Sequence, residues 1–362
     1  MTERKSPRNK IFLLTLVLGL AIGLSLALRL IDRRSSRANT TEDSKFLLDT
    51  YVSIRVYQSD RQEILDDAFK LIEKLENQVS RHKASSEISR INSTPIGTAV
   101  PVSDTTRELI AVGLRYARLS DGAFDPTIGT LVRLWGIGTE NARIPTPNEI
   151  QSTLPLVDYR AVSIAPSTVI LKRQSPISAS NSARMTLDLG GIAKGWIADR
   201  VAEFLQRNGE RNFLINLGGN IVVSGSKPSG KAYRIGMQDP FGDRGEFLGI
   251  FTVEGGSVVS SGIYERFFEL DGKRYHHILS TSNGYPISNG LAGVTILSEH
   301  SVDGDALSTA VFALGIEEGM ELVHSLDGIE AALIDSNGRV HITAGAASIF
   351  EASSPNLQIE VR

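Results

Sequence analysis

The stretch Phe267-Phe268-Glu269-Leu270-Asp271-Gly272-Lys273-Arg274-Tyr275-His276-His277-Ile278-Leu279 sets two β-prone runs on either side of Asp-Gly. Asp and Gly both tolerate positive φ, which a two-residue hairpin turn demands, so the two runs should pair antiparallel. The pattern recurs at residues 162–164 and 168–171, and again where Asn337-Gly338 joins apolar runs at 329–335 and 340–343. Helical segments lie between these groups of strands. A doubly wound parallel sheet would alternate single strands with single helices instead. The expectation is therefore an α+β fold, antiparallel sheets with flanking helices.

Outward from that stretch, spacing marks the remaining elements. Residues 61–79 carry Ile64, Leu65, Ala68, Leu71, Ile72, Leu75 and Val79 at helical intervals. Residues 105–119 do the same, with Ser103 or Asp104 as the cap. Further helices are expected up to Gln206, from Asp305 to Leu314 and over 316–326. Strands are expected at 46–57, 185–189, 213–217, 221–225, 233–235, 247–253, 257–261 and 291–297.

The 362 residues are 41% hydrophobic and 22% charged, an ordinary globular balance. A net charge of −3 gives no electrostatic footprint for nucleic acid. With no cysteine there is no disulfide, thiolate metal site, cysteine nucleophile or acylated lipoprotein cysteine. Arg4, Lys5, Arg8 and Lys10 precede an apolar run over residues 11–28, and Arg29, Arg33, Arg34 and Arg37 follow it. That run is long for a signal-peptide core and just long enough for a membrane span. Residues 1–31 are read as an uncleaved signal anchor, with a cleaved signal peptide as the alternative, and the globular part outside the cytoplasm. Residues 32–45 read as a polar tether and 46–362 as the globular domain.

Four motifs could carry chemistry. In residues 304–315, Asp305 and Thr309 lie one helical turn apart and so share a face, and Gly315 ends the run. Asp305 is there either an N-cap or a hard-oxygen ligand for Mg²⁺ at a helix N-terminus. Residues 188–195 (Asp188-Leu-Gly-Gly-Ile-Ala-Lys194-Gly195) form a strand-to-helix junction. It is either a tight turn with a capping Asp or an anion site, and Lys194 in a first helical turn favours a nearby anion. The spacings are those of neither a Walker loop nor a dinucleotide fingerprint. Residues 121–126 (Asp121-Gly-Ala-Phe-Asp125-Pro) set two carboxylates in a turn, solvated or bonded to a base or ribose hydroxyl. Of His276 and His277 only one can face inward on a strand, and the other is a surface residue or a general acid/base. Zinc spacing and a Gly-x-Ser-x-Gly elbow are both missing.

Taken together, the motifs resemble the ApbE family of FAD:protein FMN transferases. The likeness runs from about residue 48 to residue 314. It rests on Leu48-Asp49-Thr50, Ser80-Arg81-His82, residues 121–129 followed by Leu134-Trp135-Gly136, and residues 187–195 and 216–220. Ser260-Ser261-Gly262 with Tyr264, His277 with Gly284 and Pro286, and residues 305–310 complete it. Three places depart from the family pattern: His82 stands where an aromatic residue is usual, Ser280-Thr281-Ser282-Asn283-Gly284 where Asp/Asn-Pro-x-Thr-Gly is favoured, and Ser308 where Asp is frequent.

The resemblance implies an ApbE-like, T-fold-like domain that takes FAD as substrate with Mg²⁺ as cofactor. It implies cleavage of the FAD pyrophosphate, attachment of FMN through a phosphoester to a Thr or Ser of a target flavoprotein, and release of AMP. It implies acceptor flavoprotein subunits of membrane redox complexes as partners, on the periplasmic side of the inner membrane. By the same resemblance Gly191 (through its carbonyl), Asp305, Ser308 and Thr309 would bind metal. Leu48, His82, Ala123, Phe124, Asp125, Asp188, Lys194 and His277 would contact FAD, and His277 and Asp305 would be catalytic. A Mg²⁺-dependent FAD pyrophosphatase and a non-catalytic flavin-binding protein are the alternatives.

Overall fold

The computed structural model describes residues 40–172 and 184–362. The expected anchor over 1–31 and the start of the tether lie outside the described residues. Among those described, no helix is long and apolar enough to cross a membrane.

Among the described residues nine strands form the main sheet: β1 (Thr40–Leu47), β2 (Thr50–Tyr57), β3 (Phe213–Leu217), β4 (Asn220–Ser224), β5 (Gly256–Gly262), β6 (Leu291–Ser298), β7 (Glu330–Asp335), β8 (Val340–Ile342) and β9 (Ile359–Val361). Their order across the sheet is their order along the chain, and every pair is antiparallel except β8 with β9. The α+β expectation is met.

Five longer helices accompany it: α1 (Gln62–Val79), α2 (Asp104–Leu119), α3 (Ala193–Arg207), α4 (Ser301–Leu314) and α5 (Ile316–His324). They cover one face, where Val52, Ile54 and Val56 of β2 join Leu65, Phe69, Ile72, Ile197, Val201 and Phe312 in the principal core. A three-stranded sheet of Tyr233–Gln238, Phe247–Val253 and Phe350–Ala352 covers the other face. There Tyr233, Ile235, Met237 and Phe251 pack on Val258, Leu297 and Ile334. With both faces covered, β6 is buried at every residue, which is why it reads LAGVTILS rather than alternating.

Four expectations need correction. The strand expected over 46–57 is a hairpin: Leu48 and Asp49 form its turn with φ of 55° and 56°. Both central residues at positive φ match the right-handed twist of paired strands. The tether is therefore too long as drawn, since residues 40–45 belong to β1. The strand expected at 185–189 is an extended segment making only an isolated bridge, Thr186 with Ile128. Its backbone bonds go elsewhere. Asn92 takes both the N–H and the C=O of Leu187, at 2.7 and 2.9 Å, and the Pro126 carbonyl takes the Asp188 N–H at 2.8 Å. Finally, α4 begins at Ser301 with His300 as N-cap, so Asp305 lies in the helix's second turn and does not cap it.

The opening hairpin forms, Phe267–Leu270 pairing with Lys273–His276, which starts at the turn and ends before the run to Leu279 that the sequence suggested, with Asp271 and Gly272 at φ of 51° and 73°. It is a separate two-stranded sheet beside the main one.

Candidate active site

The two helices α3 and α4 bring the sequence-selected residues together. Gly195 makes this possible. A Cβ there would meet the Ser301 carbonyl oxygen at 2.3 Å and Asp305 Cβ at 2.8 Å, so only glycine lets the helices approach this closely. Gly304 plays the same part against β5, where a Cβ would lie 2.8 Å from Val259.

Asp305 is 3% exposed. Its Oδ2 accepts the Gly195 N–H at 2.9 Å, and its Oδ1 accepts from Lys194 Nζ at 3.3 Å. Asp305 thus serves the N-terminus of α3, the helix opposite its own. A buried carboxylate is tolerated because an amide and an ammonium both face it.

The turn before α3 closes on the same spot. A Cβ on Gly191 would lie 3.1 Å from the Phe124 ring and 3.6 Å from Thr309 Oγ1, so the turn, the 121–129 loop and α4 converge. Thr309 is half-buried, whereas Ser308 is fully buried. The Ser308 hydroxyl donates to the Asp305 carbonyl at 3.0 Å and lies 2.8 Å from Ser261 Oγ on β5. Asp188 pairs with Arg81 Nε at 2.8 Å and accepts the Gly190 N–H at 2.9 Å, which makes the junction a turn held by its Asp.

The two histidines divide as alternation requires. His276 is buried, edge-on to Phe312, with Nε2 2.8 Å from the Ile287 carbonyl. His277 is half-buried, and its Nδ1 lies 3.2 Å from the Arg266 carbonyl. A carbonyl only accepts, so Nδ1 carries the proton and Nε2 keeps its lone pair. Burial, reinforced by the Arg266 charge and with a smaller contribution from Lys194, pushes the His277 pKa down to about 4. The ring is neutral at pH 7. His82 is exposed, on the loop after α1, and its pKa is lowered by burial and by Arg81. Asp188, Asp49 and Arg266 make smaller electrostatic contributions to the same ring.

Asp125 behaves differently. It is 6% exposed, with Oδ1 accepting the N–H and hydroxyl of Thr127 at 2.8 and 2.6 Å and Oδ2 accepting the Tyr159 N–H at 2.8 Å. Both oxygens hold the loop itself together. The two carboxylates therefore divide: Asp121 is solvated at the mouth of the loop, while the buried end presents Phe124 to Gly191, with Ala123 half-buried beside it.

Sequence reasoning gave no role to Arg81, Arg266 or Asp199. Arg81 stood inside a quoted motif, but an ion pair across 107 residues to Asp188 leaves no spacing signature.

Among the described residues no three His, Cys, Asp or Glu side chains cluster as a metal site. The donors that do converge are one carboxylate, one hydroxyl and backbone of the Gly190-Gly191 turn. All are hard oxygens, a set that suits Mg²⁺ shared with phosphate oxygens and water rather than zinc.

Fold and site together define an α+β protein with an oxygen-lined, cation-bearing site where the N-terminus of α3 meets the middle of α4, suited to an anionic, phosphate-containing ligand. The ApbE family matches residues 48–333, and the chain belongs to that family. It is 36% identical over 316 residues to the FAD:protein FMN transferase of Klebsiella pneumoniae (strain 342), spanning 87% of this chain and 96% of the relative. It is 34% identical over 330 residues to that of Treponema pallidum (strain Nichols), spanning 85% and 89%. Among solved structures, the ApbE protein of Thermotoga maritima superposes with a TM-score of 0.77 at 31% identity, covering 86% of this chain and 99% of that one. The flavin transferase ApbE of Vibrio cholerae gives 0.76 at 26% identity, covering 86% and 99%.

Proposed function

We propose that the protein is a Mg²⁺-dependent FAD:protein FMN transferase, attaching FMN by a phosphoester to a Thr or Ser of a target flavoprotein and releasing AMP. One observation carries this reading. Asp305, Lys194, the α3 amides, Thr309 and Gly191 meet at one point, and the His277 ring, with Nδ1 on the Arg266 carbonyl, keeps its Nε2 lone pair.

Asp305, Thr309 and the Gly191 carbonyl would hold Mg²⁺, with Ser308 adjacent. Bound there, Mg²⁺ neutralises charge on the pyrophosphate oxygens. Lys194 adds a second positive charge, and the N-terminal amides of α3 favour the same anion. Phe124, Ala123, Leu48 and His82 would border the flavin or adenine, and Asp188 would act from its turn beside Arg81. Asp125 contributes by holding the Ala123–Phe124 loop. In the transfer, the acceptor hydroxyl oxygen bonds to the FMN phosphorus. The bond from that phosphorus to the bridging oxygen breaks, and AMP leaves with that oxygen. The hydroxyl proton goes to His277 Nε2, a general-base contribution of about 10²–10⁴-fold. The apolar run over residues 11–28 supports anchoring in the inner membrane, with the domain on the periplasmic side among acceptor subunits of redox complexes.

Incubation of FAD with Mg²⁺, with and without an acceptor flavoprotein, tests the reading. AMP formed only with acceptor, together with flavin bound covalently to it, is expected. AMP and FMN formed equally without acceptor would make the protein a pyrophosphatase, and tight FAD binding without AMP a carrier.

A further inference from the structure

The N-terminus of α4 has no cap of its own: His300 occupies the N-cap without a side-chain hydrogen bond. Its first two amides are met from α3 instead. Asp199 Oδ1 accepts the Ser301 N–H at 2.7 Å, and Oδ2 accepts the Val302 N–H at 2.9 Å. Asp305 on α4 returns the arrangement by accepting the Gly195 N–H of α3. Each helix thus lends a carboxylate to the other's N-terminus. Gly195 stands opposite Asp305 and Asp199 opposite Ser301, so the two links fix one antiparallel register.

We infer that Asp199 is a positioning residue for the proposed metal platform, fixing the start and rotation of α4 and thereby the aim of Asp305 and Thr309. The inference rests on the function proposed above. One residue of slip would turn α4 by about 100° and carry both side chains off the cleft. A Ser or Asp at position 300 would cap an amide of the first turn locally, but would tie α4 to nothing. The link across to α3 adds register to capping. It also places a carboxylate in a partly buried setting: burial pushes the Asp199 pKa up to about 6, against the bonds from the Ser301 and Val302 amides that favour its charged form. The charged groups around it are His300 and Asp303 of α4. Asp303 in turn is held by Arg115 and Tyr116 of α2.

The test is Mn²⁺ binding to the full protein, followed through the EPR signal of the free ion, alongside steady-state kinetics with FAD. Asp199→Asn keeps the shape but offers one acceptor where two amides need it. It is expected to fold with an unchanged circular dichroism spectrum and to bind Mn²⁺ about tenfold more weakly. The Mg²⁺ concentration for half-maximal rate should rise while KM for FAD stays the same. Asp199→Glu should recover part of the loss. Binding within twofold of the parent protein would overturn the inference.

Should Asp199→Asn fail to fold, the parent protein decides the matter through a pH series from 7 to 5. Affinity should fall through about pH 6 as Asp199 takes up a proton. A flat series overturns the inference, as does a fall that vanishes in His300→Gln. Asp305→Ala separates the two levels of argument. If it binds Mn²⁺ as the parent does, the metal platform and this inference fall together. If it does not bind while Asp199→Asn binds normally, only this inference falls.

Discussion

Strand β5 has two sides, and they do different work. Val258 and Ser260 face the three-stranded sheet; Val259 and Ser261 face the helices. On the sheet side, Val258 packs with Tyr233, Met237, Phe251 and Val253, and the Ser260 hydroxyl closes on Thr295 at 2.9 Å. Polar groups there end among themselves. On the helix side, Ser261 bonds Ser308, Ser308 bonds the carbonyl of Asp305, and Asp305 reaches Gly195 and Lys194. That chain leads from the sheet to the cleft. The contrast is a division of labour. One face buys stability through apolar area, and the other gives up some of it to hold charge and hydroxyls in fixed positions.

The largest effect that could break this contrast comes from Asp305→Ala. Mg²⁺-dependent AMP release should fall about 10³-fold, near 4 kcal/mol at the barrier, while FAD still binds. Stability should fall by only about 1 kcal/mol, for the lost bond to the Gly195 amide. Rapid-quench assays and urea unfolding measure the two. Unchanged turnover would remove Asp305 from the metal platform.

Its counterpart is Phe251→Ala on the sheet side. Phe251 is fully buried, with its ring 4.9 Å from that of Phe350. Truncation should cost about 3–5 kcal/mol of stability. Activity per folded molecule, measured well below the new melting temperature, should match the parent. A specific loss of activity would mean that the two faces are coupled through β5 and β6.

A third measurement uses pH. His277 has a folded pKa of about 4, below its usual value near 6.5. Below pH 6.5 the unfolded chain therefore takes a proton that the folded protein refuses. Stability from this group is full at pH 7, declines as pH falls from 6.5, and is lost by about pH 4, with a ceiling of about 3 kcal/mol that partial exposure reduces. Asp199 and Asp125, whose pKa values are raised, push in the opposite direction. Only the difference between the parent and His277→Asn isolates the histidine. That difference should shrink between pH 7 and pH 5, and a constant difference would place the ring in a more solvated setting.

How much of this was legible in the sequence follows from the range of the interactions. The hairpins at Asp271-Gly272 and Asn337-Gly338 were readable because two adjacent residues determine a turn. The Leu48-Asp49 turn was not, because a leucine at positive φ gives no warning, and the alternation of 46–57 runs straight through it. The strand expected at 185–189 failed because a distant side chain, Asn92, takes the Leu187 backbone bonds. Asp305 could be singled out by its neighbours in sequence. Its service to α3 could not, since Gly195 lies 110 residues away. The site was legible as a set of residues and not as a set of bonds.

The smallest effect gives the finest test of the division between faces. Ser308→Ala removes the hydroxyl that links Ser261 to the Asp305 carbonyl. If this chain of bonds only fills space, the change should resemble any loss of a buried hydrogen bond: about 1 kcal/mol of stability with activity intact. The geometry argues for more. Ser308 is one residue from Thr309 and three from Asp305, on the buried side of α4, and its bond to Ser261 fixes how far α4 sits above β5. Losing that bond frees the helix to rock about Gly304, where it touches Val259. Expected is the same modest stability loss together with a two- to fivefold rise in the Mg²⁺ concentration giving half-maximal rate, equal to about 0.4–1 kcal/mol. Ser261→Ala should reproduce both effects, and the double variant should be no worse than either, because the two hydroxyls serve one bond. Ser260→Ala, across the strand, should cost stability alone.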